Sequence, residues 1–348
     1  MTEYEYYNEN STFTYETSVF CGSAKVADFR NVFIPCFYSI LFVSGLLRNA
    51  LVVVIYVYYE KLKTVTDVYM MNLAIADLLF LCTLPFWAVD AYSEWIFGTY
   101  MCKLVNGAYT VNLYSCMLIL TCVSINRYKA IVQATKMLNI GKNILHSKLV
   151  CVGIWVLAMI LALPEFILSQ VQTDEPNKSV CKMVDSSNLI KVGVKVTQMV
   201  VGFLLPFLAM TICYSVIAKT LIQANRFQKH KSLKIIIAVV VAFVICELPF
   251  NIVLLMHILP FNGQETSCED NDNLYYAIIV TESIAYVHCC LNPILYGFLG
   301  VKFRNSFLKI LKDIGCISQK QLAGLLKTEC ETSQPVSVVS ETTTMYPL

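Results

Sequence analysis

The residues of this chain that could do chemistry stand inside long apolar stretches. Asp77 lies in the segment NLAIADLLF, and four further polar residues occur at comparable depths in other apolar stretches: Asn49, Asn112, His288 and Asn292. Ionisable groups in such surroundings are costly and usually functional. The five residues could bind a sodium ion, or they could form a hydrogen-bonded packing network without an ion.

A second candidate site combines one carboxylate with aromatic rings. Glu282 lies near one end of the last apolar stretch, and Tyr38, Trp87 and Tyr109 fall at similar depths in the first three. A carboxylate ringed by aromatic side chains suits a cationic group of a ligand. Rings at this depth could instead anchor helices at the interface between membrane and water.

The sequence does not have the patterns of an enzyme, a light-driven pump or a transporter. Its four histidines are scattered without metal-ligand spacing, and it contains no GxxxxGK phosphate loop. A retinal-binding pump needs a lysine in the last apolar stretch, 274–298, which contains none. A transporter should show repeats or paired broken helices, and neither is visible. We therefore expect a protein that is not an enzyme and has no nucleic-acid partner.

The elements that position these residues are predicted to be membrane-spanning helices. The chain is 57% hydrophobic and 14% charged, whereas soluble domains carry roughly 25% charged residues. Seven apolar stretches each approach the ~20 residues that cross a bilayer. They are 33–58, 68–91, 100–132, 148–168, 192–222, 233–259 and 274–298. We predict an all-α seven-transmembrane helix bundle over residues 33–300.

The segments outside the bundle differ in character. Residues 1–32 lack a signal-peptide pattern and form an acidic, tyrosine-rich tail. The segment 301–316 places apolar and basic residues on opposite faces, which predicts a short amphipathic helix on the membrane surface. Residues 317–348 are polar and rich in Ser and Thr, which predicts a disordered tail.

The charges of the loops predict the orientation. Basic residues follow the first, third and fifth stretches, whereas the alternate loops are acidic. The basic ones are Lys61, Lys63, Lys129, Lys136, Lys142, Arg226, Lys229 and Lys231. Because basic loops face the cytoplasm, the N-terminus is expected outside and the C-terminus inside.

Four of the 15 cysteines fall on outer segments, where disulfides persist. Four cysteines allow three pairings, and the topology favours Cys102–Cys181 and Cys21–Cys268. The other cysteines are expected to be apolar packing residues, with Cys316 a candidate for lipid attachment.

The outer segments carry further signals. Asn10 and Asn177 begin glycosylation sequons. Tyr4, Tyr6, Tyr7 and Tyr15 stand among glutamates, and such a strip, with sulfated tyrosines, could dock a basic partner. It could also be no more than a solvated acidic tail.

Several motifs resemble those of the rhodopsin-like G-protein-coupled receptors. They are Asn126-Arg127-Tyr128, the NLAIADLLF segment, Trp155, Pro206, Tyr214 and Asn292-Pro293-Ile294-Leu295-Tyr296. The segments TLPFW at 83–87, TDVYMMNLAIADLLF, AIVQATK at 130–136 and HCCLNPILYGF at 288–298 are similar to those of chemokine receptors. Within that family, RYKAIVQATK is similar to CC type six and GCISQ at 315–319 to CC type nine.

The resemblance implies roles for the candidate residues. Tyr38, Trp87, Tyr109 and Glu282 match positions that line a pocket for the chemokine N-terminus, and the tyrosine-rich tail matches the segment that grips the chemokine body. The residues implied in G-protein coupling and switching are Asn126, Arg127, Tyr128, Tyr214, Pro249, Asn292, Pro293 and Tyr296. The implied partners are a chemokine, a Gi-type G protein, arrestin and receptor kinases at the C-terminal tail, and the lipid of the plasma membrane.

Three departures from the family pattern bear on signalling. Asn126 replaces an aspartate that would pair with Arg127, Arg48 replaces a glycine, and Glu247 replaces Gln or Trp beside Pro249. Arg48 is expected either to pair with a carboxylate of the bundle or to extend toward the inner membrane surface, and a carboxylate buried at position 247 needs a partner. Asn126 keeps a second function open, namely a scavenging receptor that internalises chemokine without activating G proteins.

Overall fold

A computed structural model describes residues 24–133, 140–174, 178–184, 189–223, 229–258, 268–293, 301–321 and 325. The helices are α1 Ala24–Val54, α2 Val65–Leu81, α3 Leu84–Tyr92, α4 Gly98–Tyr128, α5 Ile140–Leu161, α6 Leu163–Leu168, α7 Leu189–Thr197, α8 Leu205–Gln223, α9 Lys229–Ile258, α10 Cys268–Tyr286, α11 His288–Pro293 and α12 Val301–Asp313. Wider π-helical turns occupy Ile55–Glu60, Lys129–Gln133 and Gln198–Leu204. The strands are β1 Ser169–Asp174 and β2 Lys178–Met183.

Seven helical segments of the described chain are long and apolar enough to cross a membrane, as predicted. Numbered here as spans 1 to 7, they are Ala24–Glu60, Val65–Tyr92, Gly98–Gln133, Asn143–Leu161, Leu189–Gln223, Val241–Ile258 and Asp272–Asn292. Span 3 lies at the centre of the bundle, because 61% of its most apolar window is buried inside the protein, against 22% for span 4.

Span 1 begins at Ala24 rather than at the predicted residue 33, so part of the predicted N-terminal tail is helical. The additional turns are held by contacts that a hydropathy pattern does not register. Arg30 Nη2 donates to Asp90 Oδ2 at 2.7 Å, and the ring of Phe29 meets that of Tyr276 edge-on with centroids 5.2 Å apart. These contacts tie the outer end of span 1 to spans 2 and 7.

Prolines break some spans and leave others continuous. Span 2 is interrupted between α2 and α3, where Pro85 occupies the first turn of the new helix, since proline has no amide hydrogen for the preceding turn. In the same way, α5 ends at Leu161, and Pro164 stands in the first turn of α6 beyond the end of span 4. By contrast, α9 continues through Pro249 as one helix.

The inner part of the bundle forms one apolar cluster around span 3. Fully buried members include Met117, Ile119 and Val123 of α4 and Ile217 of α8. Span 4 is joined to this core by a polar contact, because Trp155 Nε1 donates to Asn72 Oδ1 at 3.1 Å. The core therefore aligns spans 2, 3, 4 and 5, on which several candidate site residues lie.

Gly107 marks the closest approach between α4 and α6. A Cβ atom built on Gly107 would overlap the ring of Phe166, so the two helices can meet only at a glycine. We expect Gly107→Ala to lower the melting temperature of the purified protein by several degrees, because overpacking a fixed contact costs about 1–3 kcal/mol.

Gly153→Ala is the matched control, since nothing lies within 4 Å of a Cβ at Gly153. A thermal denaturation assay in detergent should find this variant as stable as the parent or slightly more so. Equal melting temperatures for the two variants would mean that Phe166 yields and that the contact does not limit stability.

A β-hairpin lies between spans 4 and 5, an element that the sequence analysis did not predict. Strands β1 and β2 are antiparallel, with Val171 opposite Cys181. The predicted disulfide Cys102–Cys181 is confirmed, with the Cα atoms 5.6 Å apart, and it joins β2 to the first turns of α4. Glu94 and Trp95 also bond to Ser179 of the hairpin. The hairpin is therefore fixed against the outer ends of spans 2 and 3.

The predicted short amphipathic helix is confirmed as α12. Phe307 and Ile310 pack against an apolar cluster at the inner ends of spans 1 and 2. Ser306 Oγ donates to Glu60 Oε1 at 2.6 Å. The helix ends at Asp313, and Gly315, with φ of 79°, provides the left-handed residue that such helix ends favour.

Candidate ligand pocket and transmembrane polar cluster

The outer aromatic residues converge on one ring that the sequence analysis did not single out. Tyr286 of α10 lies between Tyr38 and Tyr109, with ring centroids 5.6 Å and 5.8 Å away. Phe80 of α2 meets the same ring edge-on at 4.9 Å. Tyr38 is only 4% exposed, so it belongs to a packed pocket and is not an interfacial anchor.

Glu282 lies at the edge of this aromatic group. Its Oε1 accepts a hydrogen bond of 2.9 Å from the Tyr286 hydroxyl, one helical turn away. Lys195 and Arg30 are close enough to act on its charge. The carboxylate is thus oriented by Tyr286, an arrangement that can receive a cationic ligand group.

Trp87 lies apart from that ring and packs toward the outer loops. Its ring centroid is 6.0 Å from that of Trp95, and it contacts both the cluster that contains Tyr38 and the one that contains Cys102. The structure therefore brings Tyr38, Tyr109 and Glu282 together through Tyr286, and it places Trp87 between the pocket and the disulfide.

The remaining predictions for the outer surface fall where the structure gives no side chain. Tyr4, Tyr6, Tyr7, Tyr15, Cys21, Asn10 and Asn177 lie outside the described residues, and Cys268 is described only as the first residue of α10. The second disulfide, the sequons and the docking strip remain predictions.

Four of the five polar residues predicted at mid-bundle come together around Asp77. Asn292 Nδ2 donates to Asp77 Oδ2 at 3.1 Å, and both Asn112 and His288 are close enough to act on the carboxylate. Asn49 is turned instead toward the backbone of span 7, where its Nδ2 donates to the Cys289 carbonyl at 3.0 Å. Asp77 Oδ1 and Asn112 Nδ2 are buried and have no hydrogen-bond partner.

Glu247 has a partner in the bundle. Its Oε1 lies 2.8 Å from Nδ1 of His288, and the same nitrogen lies 2.6 Å from the Ala285 carbonyl oxygen. Because both neighbours are oxygens, Nδ1 carries the hydrogen. Glu247 is only 3% exposed, and its Oε1, although close to this ring nitrogen, receives no well-directed hydrogen bond.

Arg48 does not pair with a carboxylate among the described residues. Its Nη1 lies 3.4 Å from the Cys290 carbonyl oxygen, across the interface between spans 1 and 7. The arginine therefore makes a long backbone contact, and its side chain is partly exposed. Of the two expectations for Arg48, pairing with a bundle carboxylate does not occur there.

The His and Cys donors beside Asp77 suit a softer cation than sodium. Hard cations take oxygen ligands, but the groups nearest this carboxylate offer sulfur from Cys116, a ring nitrogen from His288 and the amide hydrogens of Asn292. Asp77 supplies the one carboxylate oxygen of that set. The sodium ion stays a prediction.

Several residues implied in G-protein coupling and switching make hydrogen bonds between uncharged groups, or apolar contacts. Ser124 Oγ donates to the Tyr214 hydroxyl at 3.0 Å, and Tyr128 packs on the same apolar cluster as Tyr214. Asn126 Nδ2 donates to Thr66 Oγ1 at 3.1 Å. Arg127 is exposed and forms no ion pair within the described residues. Tyr296 and the side chain of Pro293 lie outside them.

Tyr286 and Cys116 are the two residues that sequence reasoning missed. Tyr286 follows Glu282 by four residues, so helical spacing places both on one face and could have identified the pair. Cys116 had been grouped with apolar packing cysteines, and no spacing signal connects it to residues on spans 2 and 7.

Comparison with known proteins identifies relatives over nearly the whole chain. The family profile described as 7 transmembrane receptor (rhodopsin family) matches residues 48–296. C-C chemokine receptor type 7 of Homo sapiens is 44% identical, over 98% of this chain and 92% of its own, and that of Bos taurus is 46% identical over 98% and 91%. C-C chemokine receptor type 9 of Homo sapiens is 43% identical over 90% and 86%. The motifs had indicated type nine, and they had not indicated type seven.

Proposed function

The chain belongs to the chemokine receptors of the rhodopsin family, and on that premise we propose that it binds a basic chemokine outside the cell and activates a Gi-type G protein inside it. The response would be chemotaxis and calcium signalling. The observation that carries this proposal is the carboxylate of Glu282, held by Tyr286 beside the rings of Tyr38 and Tyr109.

The topology matches this role. The chain is a multi-pass protein of the plasma membrane and is not an enzyme, as its seven spans and its chemokine-receptor relatives establish. The loop charges place the N-terminus and the hairpin outside. A ligand therefore reaches Glu282 from the extracellular side, past Trp87 and the disulfide.

The pocket has the chemistry to recognise the cationic N-terminus of a protein ligand. Aromatic faces attract cations, and the carboxylate offers a charge-assisted hydrogen bond. The acidic tail supports the same partner, because its glutamates and tyrosines would attract the basic body of a chemokine and speed its encounter.

The inner side offers the contacts that a G protein needs. Arg127 is exposed at the inner end of span 3, and α12 is fastened to span 1 through Ser306 and Glu60. We further propose that receptor kinases and arrestin act on the Ser- and Thr-rich tail and that the basic face of α12 meets anionic lipid.

The decisive experiment is inhibition of cyclic AMP in cells that express the chain, with a panel of CC and CXC chemokines. A chemokine-dependent fall, blocked by pertussis toxin and lost in Glu282→Ala, would establish a Gi-coupled receptor and identify its ligand. Surface expression without any response to the panel would refute the proposal.

A scavenging receptor is the second candidate, and the contact of Asn126 with Thr66 favours it. That contact takes the place of a charged pair with Arg127, so the inner end of span 3 is not held in the usual way. Uptake of labelled chemokine with no fall in cyclic AMP would identify the scavenger.

Replacing Asn126 by aspartate tests how that end of span 3 is held. We expect Asn126→Asp to reduce basal signalling several-fold, because a carboxylate beside Arg127 can pair with it. The Thr66 hydroxyl, which now accepts a hydrogen bond from Asn126, can donate one to the carboxylate instead. The readout is basal GTPγS binding at matched surface expression.

The control is Thr66→Val, which removes the present contact of Asn126 without adding a charge. Basal activity should not fall in this variant. If Asn126→Asp changes neither basal nor ligand-driven output, the account of a weakly held resting state is wrong.

A further inference from the structure

A thiol, an imidazole and a carboxylate meet in the middle of the bundle. Asp77, Cys116 and His288 each offer one ligand atom, and these atoms all lie within 4.8 Å of one another. They come from α2, α4 and α11, three elements that belong to different spans. Such donors hold zinc at bond lengths that place them roughly 3.2–3.8 Å apart, so closing the site requires movements of about 1 Å.

The groups behind these donors are arranged as they are around metal ligands. Metal-binding histidines donate their second ring N–H to a carboxylate or a carbonyl, and Nδ1 of His288 lies 2.8 Å from Glu247 Oε1 and 2.6 Å from the Ala285 carbonyl oxygen. Nε2 faces Cys289 Sγ at 3.4 Å, a weak thiol contact that a metal ion at this nitrogen would replace. Glu247, unexplained by the family pattern, thereby acquires a positioning role.

One amide orients the other two donors. Asn292 Nδ2 contacts both Asp77 Oδ2 at 3.1 Å and Cys116 Sγ at 3.7 Å. The second carboxylate oxygen, Asp77 Oδ1, is completely buried and has no hydrogen-bond partner. A buried carboxylate oxygen without a partner is costly, and a cation at this position would satisfy it.

We propose that Asp77, Cys116 and His288 form a binding site for a borderline divalent metal ion, of which zinc is the best match. The cysteine binds as thiolate and its proton leaves to solvent. Two positive charges then meet two negative ligands, so the ion and its three ligands together carry no net charge, which limits the cost of placing them inside the membrane. The fourth position is taken by water, as in other open zinc sites.

A small cavity of about 20 Å³ adjoins this site, with room for about one water molecule. It is lined by Phe80, Tyr109, Asn112, Glu247, Tyr286 and His288. Its upper members belong to the aromatic pocket and its lower ones to the polar cluster, so a water molecule there lies beside His288 and can supply the fourth ligand.

The test is thermal denaturation of the purified full chain in detergent, with zinc chloride, sodium chloride or potassium chloride. Zinc at about 100 times its Kd should raise the melting temperature by about 5–10 °C, and exchanging potassium for sodium should leave it unchanged. Cys116→Ser and His288→Asn should abolish the zinc shift, whereas the matched variants Cys213→Ser and His257→Asn should keep it.

A change of ion preference separates a lost site from a damaged fold. Cys116→Ser replaces sulfur with oxygen, so this variant should become more stable in sodium than in potassium while it loses the response to zinc. Cobalt(II) added to the parent chain should give a thiolate-to-cobalt absorption band in the near ultraviolet, and the band should be absent in Cys116→Ser. A zinc shift that survives in Cys116→Ser and His288→Asn, an absent shift in the parent chain, or equal stabilisation of the parent chain by sodium would overturn the proposal.

Discussion

Replacing Glu282 by glutamine is expected to raise the chemokine concentration for half-maximal response by about 30-fold or more. Removing one member of a buried charge pair costs about 2–5 kcal/mol, and each 1.4 kcal/mol is a factor of ten. Glutamine keeps the size of the side chain and can still accept the hydrogen bond from Tyr286. The loss would therefore report the charge itself, measured as cyclic AMP inhibition at matched surface expression.

Two companion variants make the result specific. Glu282→Asp keeps the charge on a shorter side chain and should lose less potency than Glu282→Gln. Tyr286→Phe keeps the ring between Tyr38 and Tyr109 and removes only the hydroxyl, so it should cost about tenfold or less. Full potency in Glu282→Gln would show that the ligand does not bind through a cation at this position.

Much of the fold could be predicted from the sequence because lipid imposes a simple rule. A span must satisfy its own backbone and present about 20 apolar residues, and both requirements are visible in a single sequence. The ends of the spans are less predictable. The first turns of span 1 are stabilised by Arg30 and Asp90, which lie 60 positions apart, and hydropathy does not register such pairs.

The β-hairpin could not be predicted from the sequence for a different reason. Its strands are held by pairing with each other and by the contacts of Ser179 with Glu94 and Trp95. Such tertiary contacts decide strand formation more than local propensity does. The disulfide was predictable because outer cysteines are few, whereas the secondary structure that it fastens was not.

For the candidate sites, the sequence indicates only how deep each residue lies along its span, whereas the structure shows which side chains are in contact. Depth placed Asp77, Asn112, His288 and Asn292 together correctly, but it also included Asn49, which bonds to backbone on span 7. Depth alone cannot report the rotation of a helix. It also missed Cys116, whose thiol resembles an apolar packing group until an aspartate and a histidine are placed beside it.

Removing the Cys102–Cys181 disulfide is expected to have the second large effect on chemokine binding. The double variant Cys102→Ser/Cys181→Ser should lose chemokine binding by about 100-fold or more, because the disulfide fastens β2 to α4 beside Trp87, which lies between the hairpin and the pocket of Glu282. Removing a native disulfide costs about 2–5 kcal/mol. That loss falls on the hairpin, since span 3 is held independently by its buried core.

The comparison of single and double variants isolates the cross-link from the free thiol. Cys102→Ser alone leaves Cys181 unpaired in an oxidising compartment, so it should express less well than the double variant while binding equally weakly. Cys213→Ser, at a free cysteine of α8, should bind as the parent does. Radioligand binding on intact cells, normalised to surface expression, measures all three.

Because Asn106 Nδ2 lies 2.9 Å from Cys181 Sγ and Trp95 bonds to Ser179, these contacts could hold the hairpin without the cross-link. Near-normal affinity in the double variant would mean that they do and that the disulfide serves folding rather than the shape of the pocket.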